Sequence, residues 1–172
     1  MADFFGQKNR DCTSPPRPEN KRVWASLSKE KAQVFQEMAD EGQQRTSGVK
    51  TTAFLCDGAN ILQELAKKIL KPQFDGTLIK FVIILDLLHV LGYLWKAALA
   101  FFSEGDRQAE VWVGKYLRMI LEGKASVVAG VLRRMATQRG LQGSKREAVD
   151  KAADYFLNNK EYMHYESYLE LG

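Results

Sequence analysis

Between residues 51 and 102 the chain reads strand, helix, strand, helix, and this alternation narrows the folds open to it more than any other feature. Residues 51–56 (TTAFLC) are a short β-prone run that stops at Asp57-Gly58. Residues 59–70 have helical spacing, with Ile61, Leu62, Leu65, Ile69 and Leu70 on one face. Pro72 and Asp75-Gly76 mark a loop. Residues 80–85 (KFVIIL) are apolar after the first and β-branched in the centre, as expected of a strand buried on both faces. That run stops at Asp86, and residues 87–102 continue as a helix. Such alternation predicts parallel strands joined by crossover helices. The apolar stretch 81–102 is long enough to span a bilayer. Asp86, His89 and Lys96 would then lie within it, and a charge at the bilayer centre costs about 2.5–3.5 kcal/mol. A buried strand followed by a buried helix is the better expectation.

The flanks differ from this centre. Residues 1–22 are polar and proline-rich (SPPRPENKR) and read as a flexible arm. Residues 23–27 are a short strand candidate, Ser28 resembles the N-cap of a helix over 28–38, and 40–50 read as a loop. From residue 103 onward only helical signals occur: 106–122, 125–136, 144–157 and a short aromatic-rich segment over 161–171. Gly105, Gly123, Gly140 and Gly143 punctuate them. The expected organisation is an arm (1–22), an α/β unit (23–102) and an all-helical unit (103–172). With 172 residues, 45% hydrophobic and 27% charged, the chain can bury one substantial core, and disorder throughout is excluded. Cys12 and Cys56 form no CxxC pair, and a structural zinc site needs about four ligands. Two free thiols suit a reducing cytoplasm. The first ten residues lack the apolar centre of a signal peptide.

Four features could carry chemistry. Asp57 stands just beyond a strand's C-terminal end, where open α/β sheets place their sites. The plainer alternative is an ordinary Asp-Gly turn. Asp86 and His89 stand three apart where the second strand passes into a helix, so both lie near one face. They suggest a metal or phosphate neighbourhood, with His89 as proton donor or phosphate contact. The alternative is that Asp86 caps the helix and His89 bonds to it; capping and catalysis are compatible. Between residues 123 and 146 there are six basic residues and no acidic one: Lys124, Arg133, Arg134, Arg139, Lys145 and Arg146. They could contact DNA phosphates, although a charge run is more often a solvated face. The net charge of +4 permits nucleic-acid binding without requiring it. The aromatic residues Tyr155, Phe156, Tyr162, Tyr165 and Tyr168 could stack on bases, but core packing or a subunit contact is the stronger expectation. A GxSxG elbow, a P-loop and a GxGxxG fingerprint are all missing from the sequence.

The order of motifs resembles the transposases of the ISKra group of bacterial insertion sequences, a branch of the DDE transposases. The matching stretches are PPRPENKRVWASL (15–27), LCDGA (55–59), IILDLLHVLGYLWKAA (83–98), then FFSEG, AEVWV, LEGK, LRRMA and NNKEYMHYESYLELG. The resemblance implies a partial RNase H-like sheet with crossover helices over about 23–102, followed by a helical insertion over about 103–172. It implies Mg²⁺ or Mn²⁺ in the complete enzyme, positioning water or a 3′-hydroxyl for attack on DNA phosphodiesters. Asp57 matches the second acid of the triad and a metal ligand, and Asp86 with His89 matches the DxxH signature. No motif over residues 1–50 matches the first acid, and the third, in an SGxxEG-like motif, is expected beyond residue 172. The expectation is therefore a fragment that binds the metal weakly and is inactive alone. Its partners would be transposon-end and target DNA in the bacterial cytoplasm, another copy of itself, or full-length transposase, with no membrane. The rival readings are a non-catalytic module that binds DNA or interferes with transposase, and an inert remnant.

Overall fold

The computed structural model describes residues 26–45, 51–69 and 80–170. The described chain is mostly helical, with a small parallel sheet. In order it runs α1 (Lys31–Arg45), β1 (Thr51–Cys56), α2 (Asn60–Ile69), β2 (Lys80–Leu85), α3 (Leu87–Phe101), α4 (Arg107–Leu121), α5 (Ala125–Gln138) and α6 (Gly143–Asn159). A 3-10 turn (Lys160–Tyr162) and α7 (Tyr165–Glu170) follow.

The two strands pair in parallel, with Thr51 opposite Lys80 and Cys56 opposite Leu85. Both occupy the residues read from the sequence. The Asp86 N–H donates to the Cys56 carbonyl at 2.7 Å. Backbone direction alternates along a strand, so Asp86 and Ile84 face β1 while Leu85 and Ile83 face outward. Those outward carbonyls accept hydroxyls from α7: Tyr165 reaches Leu85 at 2.9 Å and Tyr168 reaches Ile83 at 3.1 Å. α7 therefore closes the outer edge of β2, an edge that would otherwise invite another strand. On β1, Cys56 is buried and Phe54 meets Phe35 of α1 edge-on at 5.2 Å. Leu55 points to the other face and is 64% exposed.

The helices after β2 form a block in which α6 packs against both α3 and α5, and α4 lies against α3. Their buried positions follow the helical period: Val90, Leu94, Ala97 and Ala98 on α3; Ala109, Trp112, Val113, Tyr116 and Ile120 on α4; Val128, Ala129, Leu132 and Ala136 on α5; Val149, Ala152, Ala153 and Phe156 on α6. Small alanines on α3 and α6 allow those helices to approach closely. α4 ends where Gly123 adopts φ +74, and the Gly123 and Lys124 N–H groups return to the Ile120 and Met119 carbonyls. That Schellman arrangement needs a residue tolerant of positive φ. One apolar cluster runs from Cys56 and Leu85 through the helical block to Tyr162, Met163 and Tyr165.

Some expectations change. The first helix is later and longer than 28–38, and it runs through most of the expected 40–50 loop. A lone Gly42 costs only about 1 kcal/mol within a helix, and the buried Phe35 and Ala39 anchor the segment. Ser26 rather than Ser28 offers the local side-chain bond, its Oγ accepting the Lys29 N–H at 2.9 Å. The expected strand over 23–27 lies mainly outside the described residues, and Ser26 and Leu27 are not in a strand. The arm at 1–22 and the loop marked by Pro72 and Asp75-Gly76 also lie outside them. The final aromatic segment divides into the 3-10 turn and α7, with Met163 and His164 between. Among the described residues no helix is long and apolar enough to cross a membrane.

Candidate functional site

The parallel register fixes the first feature of the site. Cys56 is opposite Leu85, so the next residue on each strand, Asp57 and Asp86, lies at the same C-terminal edge of the sheet. Asp57 is exposed, and its Oδ1 accepts the Ala59 N–H at 3.0 Å, which closes the turn into α2. Gly58 takes φ +87 in that turn, which an L side chain rarely adopts. Asp86 caps α3: its Oδ1 accepts the Leu88 N–H at 2.9 Å, and its Oδ2 lies 3.0 Å from His89 Nδ1. The Leu88 N–H holds the Asp86 carboxyl below its ordinary value of 3.8, and His89 adds to this against the opposing effect of burial. Asp86 is thus an anion at neutral pH. The His89 ring is half exposed, and with Nδ1 committed to the carboxylate Nε2 is the ring nitrogen not bonded to Asp86. The capping alternative read from the sequence is thus observed at Asp86, together with its bond to His89.

Tyrosines from the helical block reach this edge. The Tyr155 hydroxyl donates to the Asp57 carbonyl at 2.9 Å. Its ring stacks on Tyr93 of α3 with centroids 3.9 Å apart. Burial, then the neighbouring Tyr93 and the negative charge of Asp57, raise the Tyr155 hydroxyl well above its usual range, so it stays a donor. Behind it, buried Gln63 of α2 donates to buried Asn159 of α6 at 2.8 Å, and Asn159 donates to the Tyr155 carbonyl at 2.9 Å. The sequence reading placed Tyr155 with the core aromatics and did not single out Tyr93. The missed signal is the hydroxyl: a tyrosine inside a core usually finds a polar partner.

The basic run disperses. Arg133 pairs with Asp154 and stands 3.8 Å from Asp150, while Arg146 bonds Asp150 at 2.8 Å. Arg139 lies over the Phe101 and Phe102 rings and donates to the Phe101 carbonyl at 3.0 Å. Lys124 pairs with Glu122 at 2.7 Å. Arg134 and Lys145 are exposed and form no ion pair among the described residues. Four of the six cations thus have neighbours within the fold, and two are exposed with no ion pair among the described residues.

Among the described residues, no three His, Cys, Asp or Glu groups stand close enough together to hold a metal ion. A hard cation takes about six oxygen ligands or more, usually one or two carboxylates with phosphate and water making up the rest. Asp57 and Asp86 alone do not form a complete set. Cys56 is buried beside Gln63 and offers no exposed thiol. Comparison of the chain with protein-family models, curated proteins and solved structures found no match.

Proposed function

We propose that this chain is part of the RNase H-like catalytic domain of a DDE transposase of the ISKra group of insertion sequences, an enzyme that cuts and joins DNA in the bacterial cytoplasm. The observation that carries the reading is the parallel register that sets Asp57 and Asp86 side by side at one sheet edge. The motif order quoted above and the helical block that follows β2 agree with it. The closed outer edge of β2 also agrees, because further strands of a larger sheet would then add beside β1. On this reading Asp57 is the second acid and a ligand for Mg²⁺ or Mn²⁺, and Asp86 with His89 forms the DxxH pair. The cation, when bound, supplies charge stabilisation at the scissile phosphate. Asp86 orients the His89 ring, and Nε2 then contacts a phosphate oxygen or gives it a proton. On this reading Asp57 supplies one acid of a triad, and one acid cannot assemble the catalytic metal site by itself.

DNA at either side of the reading frame tests the assignment. An upstream strand ending in Asp and a downstream SGxxEG-like Glu support it; flanks encoding neither in any frame overturn it. The purified chain should not nick insertion-end DNA in Mg²⁺ or Mn²⁺, and nicking that disappears in Asp57→Ala would show the inactivity claim to be wrong.

A second reading, a module that binds DNA without cutting it, draws on the exposed Arg134 and Lys145. Binding should weaken with salt at a logarithmic slope of about −0.9 per phosphate contacted, and Arg134→Glu with Lys145→Glu should lower both affinity and slope. A flat salt response removes this reading.

A further inference from the structure

We propose that Tyr155 is a positioning residue that sets the Asp57 turn relative to Asp86, so that the helical block acts as a frame for the acids. The inference rests on the reading of Asp57 and Asp86 as the working carboxylates. One side chain touches both the Asp57 turn and the helix that Asp86 caps. Its hydroxyl holds the Asp57 carbonyl at 2.9 Å, and its ring lies 3.9 Å from that of Tyr93, on the helix that Asp86 caps. The fit at the turn is close: a Cβ on Gly58 would stand 2.9 Å from the Tyr155 hydroxyl and 3.2 Å from Leu85 Cδ1.

The contact belongs to a closed circuit. From the Asp57-Gly58 turn the chain enters α2, where Gln63 donates to Asn159 at 2.8 Å. Asn159 donates to the Tyr155 carbonyl one helical turn back, and the Tyr155 hydroxyl returns to Asp57. Gln63 and Asn159 are both buried, so breaking that link would strand polar groups away from water. The circuit therefore fixes α6 against α2, and Tyr155 transfers that placement to the turn. Asp57 is exposed and otherwise constrained by its own bond to Ala59. Phenylalanine at 155 would keep the stack and leave the Asp57 carbonyl without this donor.

The test compares amide spectra of the whole chain as wild type, Tyr155→Phe and Tyr93→Leu, with Mn²⁺ alone as the probe. In the wild type Mn²⁺ should broaden the Ala59 and Leu88 amides together, since each follows one carboxylate. In Tyr155→Phe the Ala59 amide should exchange about tenfold faster, the factor for one hydrogen bond's net contribution. Its Mn²⁺ broadening should fall to less than half that of Leu88, while the core amides of Leu94 and Ile120 stay unchanged. Equal broadening of Ala59 and Leu88 in both proteins overturns the inference. If Mn²⁺ broadens neither amide in the wild type, the transposase reading loses its metal chemistry, and Ala59 exchange alone decides: unchanged overturns positioning, tenfold faster sustains it. Should Tyr155→Phe fail to fold, Tyr93→Leu, which removes the ring that the Tyr155 ring stacks on and leaves the Asp57-Gly58 turn itself unaltered, is read by the same criteria.

Discussion

The Asp86 carboxylate accepts the Leu88 N–H in the first turn of α3 with one oxygen and holds His89 with the other. An anion there also meets the positive end of the helix dipole. Asp86→Ala should therefore cost about 1 kcal/mol at neutral pH, the usual worth of an N-cap, measured by urea denaturation. The sign of its pH dependence follows from the lowered carboxyl. In the unfolded chain the group titrates near 3.8, and in the folded chain below it. The stabilisation is complete above the unfolded value, fades as pH falls through it, and is gone once the folded carboxyl is protonated. The gap between wild type and Asp86→Ala should close in that acidic window, and a gap that persists below it would refute the cap. The cap was legible in the sequence because a helix start needs an acceptor at that place. The Gly58 turn was legible only in part. Asp-Gly announces a turn, but the tyrosine that presses on it lies 98 residues further along the chain from Asp57.

α7 has six residues, too few to be stable alone, and its position comes from what its tyrosines reach. Tyr165 is buried, and burial raises its hydroxyl far above the usual range, so it remains a donor to Leu85. Tyr165→Phe leaves that buried carbonyl without its partner and should cost about 1–3 kcal/mol by urea denaturation. Tyr168→Phe, at a less buried position, should cost about 0.5–1 kcal/mol. Equal and negligible effects would mean that α7 does not secure the sheet edge. At this scale the strands and the helices from α2 to α6 were readable, because a period of two or 3.6 and a flanking turn are local properties. The fate of the basic run was not. The segment 123–146 contains no acid, yet α6 packs on α5 and delivers Asp150 and Asp154 to Arg133. Long-range ion pairs and the tyrosine hydrogen bonds leave no period in the sequence, so only the helices' packing discloses them.

For the whole molecule, the question is whether sheet and helical block are one cooperative unit. A single apolar cluster includes Cys56 at the end of β1, Leu85 at the end of β2 and Phe156 in α6. Phe156 is fully buried and follows Tyr155, so the core contact and the hydroxyl contact to the Asp57 turn leave adjacent positions of one helix. Phe156→Ala should remove about 3–5 kcal/mol, the usual cost of truncating a buried aromatic side chain. The loss should fall on both parts of the molecule. Trp95 and Trp112 lie in the helical block, and Cys56 is a buried thiol in the sheet, so fluorescence and thiol labelling in a Cys12→Ser, Trp24→Phe background report on the two parts separately. In a shared core the two denaturation curves coincide in wild type and shift together in Phe156→Ala. If thiol labelling precedes the fluorescence change, and only the fluorescence midpoint moves in the variant, the sheet unfolds independently. The frame that holds Asp57 beside Asp86 would then be a weaker coupling than the continuous core implies.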